Sequence, residues 1–283
     1  MVKNLSRVAL GILMIASFWA CSDEKAQSTQ ESQSLSESQT SEAPKVLKVG
    51  ATPVPAAEIL EFVKPILAQK GIDLQIQSFT DYVVPNVSLA EKSSDANMYQ
   101  HKPFMDNTNA QKGYNLVSIA PIYVVPLGFY SLKYQDLDSI PEGSTIAIPG
   151  DASNMARAFI LLHDNGLIKL SDSSNLNVSE IDVIENPKKF IFKPMEAASL
   201  PLILDSVDAA VINANYALQA KMSIKQAFFH ENDKSAYINV LVAREDNKDD
   251  ELVLALRDAL LSPETKAFIL EKYQGEIIPV GAE

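Results

Sequence analysis

Arg157 is one of only three arginines, with Arg244 and Arg257, that follow the first twenty residues of this 283-residue chain, and it is the side chain best suited to recognise an anion. It closes the run Gly150-Asp151-Ala152-Ser153-Asn154-Met155-Ala156-Arg157, where an extended apolar segment ending at Pro149 turns into a helical pattern. An expected place in the first helical turn sets a cation where the macrodipole disfavours one. Free backbone N–H groups point the same way, so a bound anion satisfies both, and a guanidinium fork matches a carboxylate bidentately. Asn154, three residues earlier, shares that helical face. On residues alone the alternative is a surface arginine paired with an acid. If the arginine serves binding, its removal should leave the ligand-free stability nearly unaltered, because a first-turn cation contributes little to folding.

Catalytic and metal motifs are sparse. The chain has no G-x-S-x-G elbow, no H-E-x-x-H, no phosphate-loop lysine and no G-x-G-x-x-G. Its three histidines, His101, His163 and His230, lack metal-ligand spacing. The single cysteine, Cys21, excludes an intramolecular disulfide framework and multi-cysteine metal sites. The many carboxylates leave an acid–base pair open, so the missing motifs weaken the enzyme class without eliminating it. No cofactor or metal is expected. With Lys3 and Arg7 set aside in the leader, 22 of the 24 basic residues face 36 acidic ones, a net charge of −14. Such a surface repels phosphate backbones and argues against nucleic-acid partners.

The positioning elements follow from periodicity. Val46–Val49 reads as a strand and Ala56–Gln69 as a helix, with Ile59, Leu60, Phe62, Val63, Ile66 and Leu67 on one side, a kink at Pro65 and an end at Gly71. Ile72–Ile76, Leu116–Val125 and Thr145–Ile148 are further strands, and Ala209–Ile212 suits a strand buried on both faces. Asn154–Asn165 is a helix with Met155, Ala158, Phe159 and Leu162 on its apolar side, closed by Gly166. Leu252, Val253, Leu256 and Leu260 form one helical stripe, and Ser262-Pro263 starts another helix with a cap and an N1 proline. Alternating strands and helices point to α/β sheets.

The N-terminus has an export-signal form: Lys3 and Arg7, thirteen largely apolar residues from Val8 to Ala20, then Cys21. Thirteen residues are too few to span a bilayer. Phe18-Trp19-Ala20-Cys21 resembles a bacterial lipobox, which implies removal of residues 1–20 and acylation of Cys21; the alternative is a plain signal peptide. Between Ser22 and Glu42 the chain is dominated by Ser, Gln, Glu and Thr, with Leu35 the only large apolar residue, so residues 21–45 read as a flexible tether.

Several blocks then become recognisable. They are Phe79-Thr80-Asp81-Tyr82-Val83-Val84-Pro85-Asn86, Asp95-Ala96-Asn97-Met98-Tyr99-Gln100-His101-Lys102-Pro103-Phe104, Ser153-Asn154-Met155-Ala156-Arg157, Glu185-Asn186-Pro187-Lys188, Ala210-Val211-Ile212-Asn213-Ala214-Asn215-Tyr216-Ala217 and Arg244-Glu245-Asp246-Asn247-Lys248-Asp249. In this order they resemble the methionine-binding lipoproteins of ABC importers, the MetQ/NlpA family, over about Val46 to Asp249. The chain departs from the family's usual Asn-Asp-Pro at Gly150-Asp151-Ala152, and it has Leu202 where the family has arginine.

The resemblance implies a two-lobed periplasmic-binding-protein-like α/β fold with two crossover segments and a central ligand cleft. Lobe one is expected at residues 46–126 plus 237–283 and lobe two at 127–236. The family's polar ligand contacts match Asn154, Arg157, Asn213 and Asn239, with Asn215 a further candidate of the same block. Its apolar contacts match Tyr82, Tyr99, His101 and Phe104, rings suited to a polarizable thioether. By residue type alone each of these is equally a core or surface residue. The implied role is capture of methionine or a close analogue and delivery to an importer's permease and ATPase, without chemistry. Membrane attachment is expected at Cys21, on a face turned to the periplasm or exterior. A surface lipoprotein used in adhesion, with a vestigial cleft, and a hydrolase lacking a known motif are the competing readings.

Overall fold

Residues 43–281 are described by the structure, a computed structural model; the leader, Cys21 and the tether to residue 42 lie outside them. The chain opens with β1 (Lys45–Ala51), α1 (Glu58–Ala68) and β2 (Ile72–Ser78). The apolar spacing of α1 buries Ile59, Leu60, Val63 and Leu67, each contributing about 1.5–3 kcal/mol against exposure. The helix runs through Pro65, forfeiting only the N–H that would have met the Glu61 carbonyl. Beyond it Gly71 takes a φ of +73°, which a side chain resists. Then come α2 (Val84–Ala90), β3 (Ala96–His101), α3 (Lys102–Lys112) and β4 (Leu116–Val124).

The next stretch holds β5 (Leu127–Tyr130), β6 (Thr145–Pro149), α4 (Ala152–Asp164), a small β7 (Lys169–Leu170) and β8 (Val183–Glu185) pair, β9 (Ile191–Met195), β10 (Ala209–Asn213), α5 (Ala214–Gln219) and β11 (Phe229–His230). The chain ends in β12 (Ile238–Arg244), α6 (Glu251–Leu260), α7 (Pro263–Tyr273) and β13 (Ile278–Pro279). Asp250 and Ser262 cap α6 and α7 through the Leu252 and Thr265 amides, the second as the Ser-Pro pair predicts. Phe62 of α1 stacks on Phe268 of α7, ring centroids 4.2 Å apart.

Two main sheets result. One has six strands in the order β13-β4-β12-β3-β1-β2, the other five in the order β11-β5-β10-β6-β9. The five-stranded sheet is drawn wholly from residues 127–230. The six-stranded sheet uses strands from both before and after that stretch. β10 is buried at every position, in agreement with its apolar sequence. One face of this sheet packs Phe129, Ile146, Ile148 and Val211 against Phe159 and Leu162 of α4.

The block around Arg244 is a clasp. Its Nη1 donates to the Leu89 and Ser94 carbonyls at 3.1 and 2.8 Å, and Asn247 donates to the Asp95 carbonyl at 2.8 Å. The end of β12 is thereby fastened to the turn between α2 and β3.

Candidate functional site

Between the sheets lies a small, tightly closed cavity lined by Tyr82, Tyr99, His101, Phe104, Asn154, Arg157, Asn213, Asn215 and Asn239, with Gln100 and Val125. All nine residues singled out in the sequence therefore meet at one place. They come from the loop before α2, from β3 and α3, from α4, from the β10–α5 junction and from β12.

The aromatic wall is held from behind. Asp81 Oδ1 accepts from the Val83 and Val84 amides at 2.7 and 2.8 Å, fixing the loop that carries Tyr82. Tyr99 Oη donates to the Tyr82 carbonyl at 2.8 Å. The Tyr82, Tyr99 and Phe104 rings lie 5.9–6.2 Å apart in tilted or edge-on geometry. Tyr82 and Phe104 also line two outer hollows shared with Val83, Gly150 and Asp151, so these two rings divide the cavity from the mouth of the cleft. Gln100 belongs to a buried network in which Asn86 Oδ1 accepts from Asn97 and Gln100 at 2.9 and 2.6 Å.

His101 caps α3, its Nδ1 accepting from the Phe104 amide at 3.2 Å, while Nε2 lies 3.2 Å from Asn154 Oδ1. The two contacts together call for the tautomer protonated at Nε2. Burial, with Arg157 nearby and only partly offset by the Asn154 bond, drops its pKa to about 3, so the imidazole is neutral at physiological pH. Asn154 Oδ1 also accepts from Asn213 Nδ2 at 2.9 Å. Tyr82 Oη donates to Asn215 Oδ1 at 2.6 Å, and Tyr216 Oη to the Thr80 carbonyl at 3.2 Å. Three bonds, Tyr82–Asn215, His101–Asn154 and Tyr216–Thr80, thus draw the two sides together around the cavity. At Asn239 the β12 register shifts against both neighbours, a bulge that re-aims the side chain so that Nδ2 donates to the Tyr99 carbonyl at 3.2 Å.

Arg157 departs from the sequence expectation in three ways. Helix α4 starts at Ala152, so the arginine stands in its second turn and not its first. The helix N-terminus is already served by an anion of the chain itself, since Asp151 Oδ1 accepts from the Asn154 amide and side chain at 2.9 and 3.0 Å. Burial raises the Asp151 pKa against these stabilising bonds. The guanidinium fork expected for a ligand is held by Glu231, which takes Nε at 2.8 Å and also Nη2. Nη2 further donates to the Val125 carbonyl at 2.7 Å, and the Tyr237 ring lies 4.7 Å from the guanidinium carbon. The arginine is 1% exposed, which overturns a surface role, and its buried pairing with Glu231 argues against the expectation that stability is indifferent to it. Glu231 is 74 residues away in sequence and one of 36 acids, and no motif marks it.

What remains available is specific. Asn213 Oδ1 and Asn215 Nδ2 are buried without a hydrogen-bond partner, and Arg157 Nη1 bonds to none of the described residues. One acceptor and two donors are therefore left on residues that line the same cavity as the aromatic wall.

The model of the family described as NlpA lipoprotein matches residues 47–281. A D-methionine-binding lipoprotein MetQ of Yersinia pestis is 39% identical over 229 residues, spanning 80% of this chain and 84% of that protein. A nutrient binding protein from Burkholderia cenocepacia, solved bound to methionine, superposes with a TM-score of 0.79 at 38% identity, covering 83% and 99% of the two chains. A periplasmic substrate-binding protein of an ABC transporter from Coxiella burnetii gives 0.79 at 37% identity, covering 83% and 100%.

Proposed function

The chain belongs to the NlpA lipoprotein family, and from that premise we propose that it is a lipid-anchored substrate-binding protein that captures methionine or a close analogue and delivers it to a membrane ABC importer. Its relatives include a methionine-bound binding protein and the binding component of an ABC transporter. The observation that carries the reading is the set of unpartnered polar atoms in a small aromatic cavity. Asn213 Oδ1 is an acceptor for an ammonium; Asn215 Nδ2 and Arg157 Nη1 are donors for a carboxylate. Tyr82, Tyr99, His101 and Phe104 receive the side chain, whose sulfur gains roughly 0.3–1.5 kcal/mol per aromatic contact. Asn154 and Asn239 brace these groups.

Lobe one, at 46–126 plus 237–283, and lobe two, at 127–236, close on the ligand, which favours the closed state only through contacts absent from the open one. The importer's permease and ATPase complex reads that closure. No bond is made or broken by the protein. Acylated Cys21 and the tether through residue 45 hold the lobes at the membrane, facing the periplasm or exterior. Calorimetric titration of ligand-stripped protein with the D and L forms of methionine, together with mass spectrometry of the ligand retained through native purification, tests the reading. It fails if neither enantiomer binds and no amino acid co-purifies.

A further inference from the structure

The ligand cavity contains a single ionised side chain, Arg157, among the residues that line it. His101 is neutral there, and the remaining polar groups are amides and phenols. Asp151, the N-cap of α4, lines the outer hollows and bonds to Asn154. The charge on Arg157 is nevertheless already matched. Glu231 grips Nε and Nη2 from the far side, and its Oε2 also accepts from the Leu127 amide at 2.9 Å. Glu231 does not line the cavity; it lines a separate hollow behind it, with Asp164, His230, Lys234 and Tyr237. Its side chain is 12% exposed, against 1% for the arginine.

We propose that Glu231 is the specificity-determining residue of this site: by balancing Arg157 from behind, it fits the cavity to a net-neutral zwitterion and against a carboxylate that brings no ammonium. The inference rests on the methionine-binding reading and extends it. An amino acid enters as a dipole. A negative charge behind the arginine repels its carboxylate and attracts its ammonium, and the two effects largely cancel. A hydroxy acid of the same shape enters as a monopole and feels the repulsion undiminished. Repulsion between two carboxylates on either side of one guanidinium, at an effective dielectric near 20, is enough for on the order of tenfold discrimination. Glu231 thus acts through Arg157 as a positioning and charge-setting residue, touching no ligand atom.

The test compares methionine with 2-hydroxy-4-(methylthio)butanoate, in which a hydroxyl replaces the ammonium, by competition calorimetry on wild type, Glu231→Gln and Glu231→Asp. The wild type prefers methionine, and Glu231→Gln should narrow that preference by about tenfold or more. A merely structural role weakens both ligands equally and leaves the ratio unchanged, which overturns the inference. Glu231→Asp keeps the charge with a shorter reach, so both affinities fall while the ratio stays within about threefold of wild type. A ratio that collapses in the Asp variant places the effect in geometry and likewise overturns the proposal, including in the event that Glu231→Gln does not fold. A wild type that binds neither ligand refutes the methionine reading itself, a result distinct from either of these.

Discussion

Truncating Arg157 to alanine strands the Glu231 carboxylate, 12% exposed, with only the Leu127 amide for company, and frees the Val125 carbonyl. Breaking one partner out of a buried ion pair costs about 3–5 kcal/mol, because the survivor keeps its desolvation penalty. For a folded region of this size that corresponds to a fall in Tm on the order of 10 °C. Removing both partners relieves the stranded charge, so Arg157→Ala/Glu231→Ala should be more stable than Arg157→Ala alone, with the remaining deficit due to lost packing beneath the Tyr237 ring. Urea unfolding of ligand-stripped wild type, both single variants and the double variant closes a thermodynamic cycle, whose coupling should be about 2–4 kcal/mol. An Arg157→Ala protein within about 1 kcal/mol of wild type, or a double variant no more stable than it, refutes the buried-pair argument.

His101 should make the fold acid-sensitive. Its folded pKa of about 3 lies below the unfolded value near 6.5, so between these pH values the unfolded chain binds a proton that the folded chain refuses. Stability is full above pH 6.5 and declines toward pH 3 by at most about 1.4 kcal/mol per unit from this group. His101→Asn, still able to cap α3, should flatten that slope in urea melts, and an unchanged slope contradicts the assignment. Asn213→Ala should weaken methionine by about ten- to a hundredfold in calorimetry, through loss of the acceptor for the ammonium, and equal affinity refutes that role. Cys21→Ala should leave methionine affinity unchanged and release the protein from the membrane fraction. Retention after proven cleavage of the leader argues against acylation.

The elements that the sequence made plain were those whose packing follows their own periodicity. In α1 and α6 the apolar stripe coincides with the observed burial, and α7 starts at the expected Ser262 cap and Pro263. Strand β3 was hidden because Asn97, Gln100 and His101 are polar yet wholly buried, satisfied by partners such as Asn86 and Asn154 that no spacing rule connects to them. Helix α3 was equally opaque, since it buries only Met105. At the site, Arg157 and Asn154 stood out by residue type and position, and the other seven residues were found through family resemblance. Their bonding was not, because Arg157 and Asn154 carry no sign of which acid each will meet. Gly150, a departure from the family pattern, becomes intelligible only in three dimensions: a Cβ there would come within 3.1 Å of the Met195 carbonyl oxygen.

The strand order carries a consequence for how the chain acquires its shape. Val124 of β4 faces Ile238 of β12, so everything from 125 to 237 occupies, in ladder terms, the bend of a hairpin. Strand β12 also lies between β4 and β3, in the middle of its sheet. The earlier strands therefore wait with an open slot until the last quarter of the polypeptide arrives, whereas the five-stranded sheet has all its strands in hand beforehand. Because non-local pairing is paid for in loop closure before it is rewarded, the five-stranded sheet should consolidate first. Pulse-labelled hydrogen exchange during refolding should then protect the amides of β10 before those of β3, and the reverse order would contradict this account. The last piece to slide home is also the one that seats Asn239 against the ligand cavity.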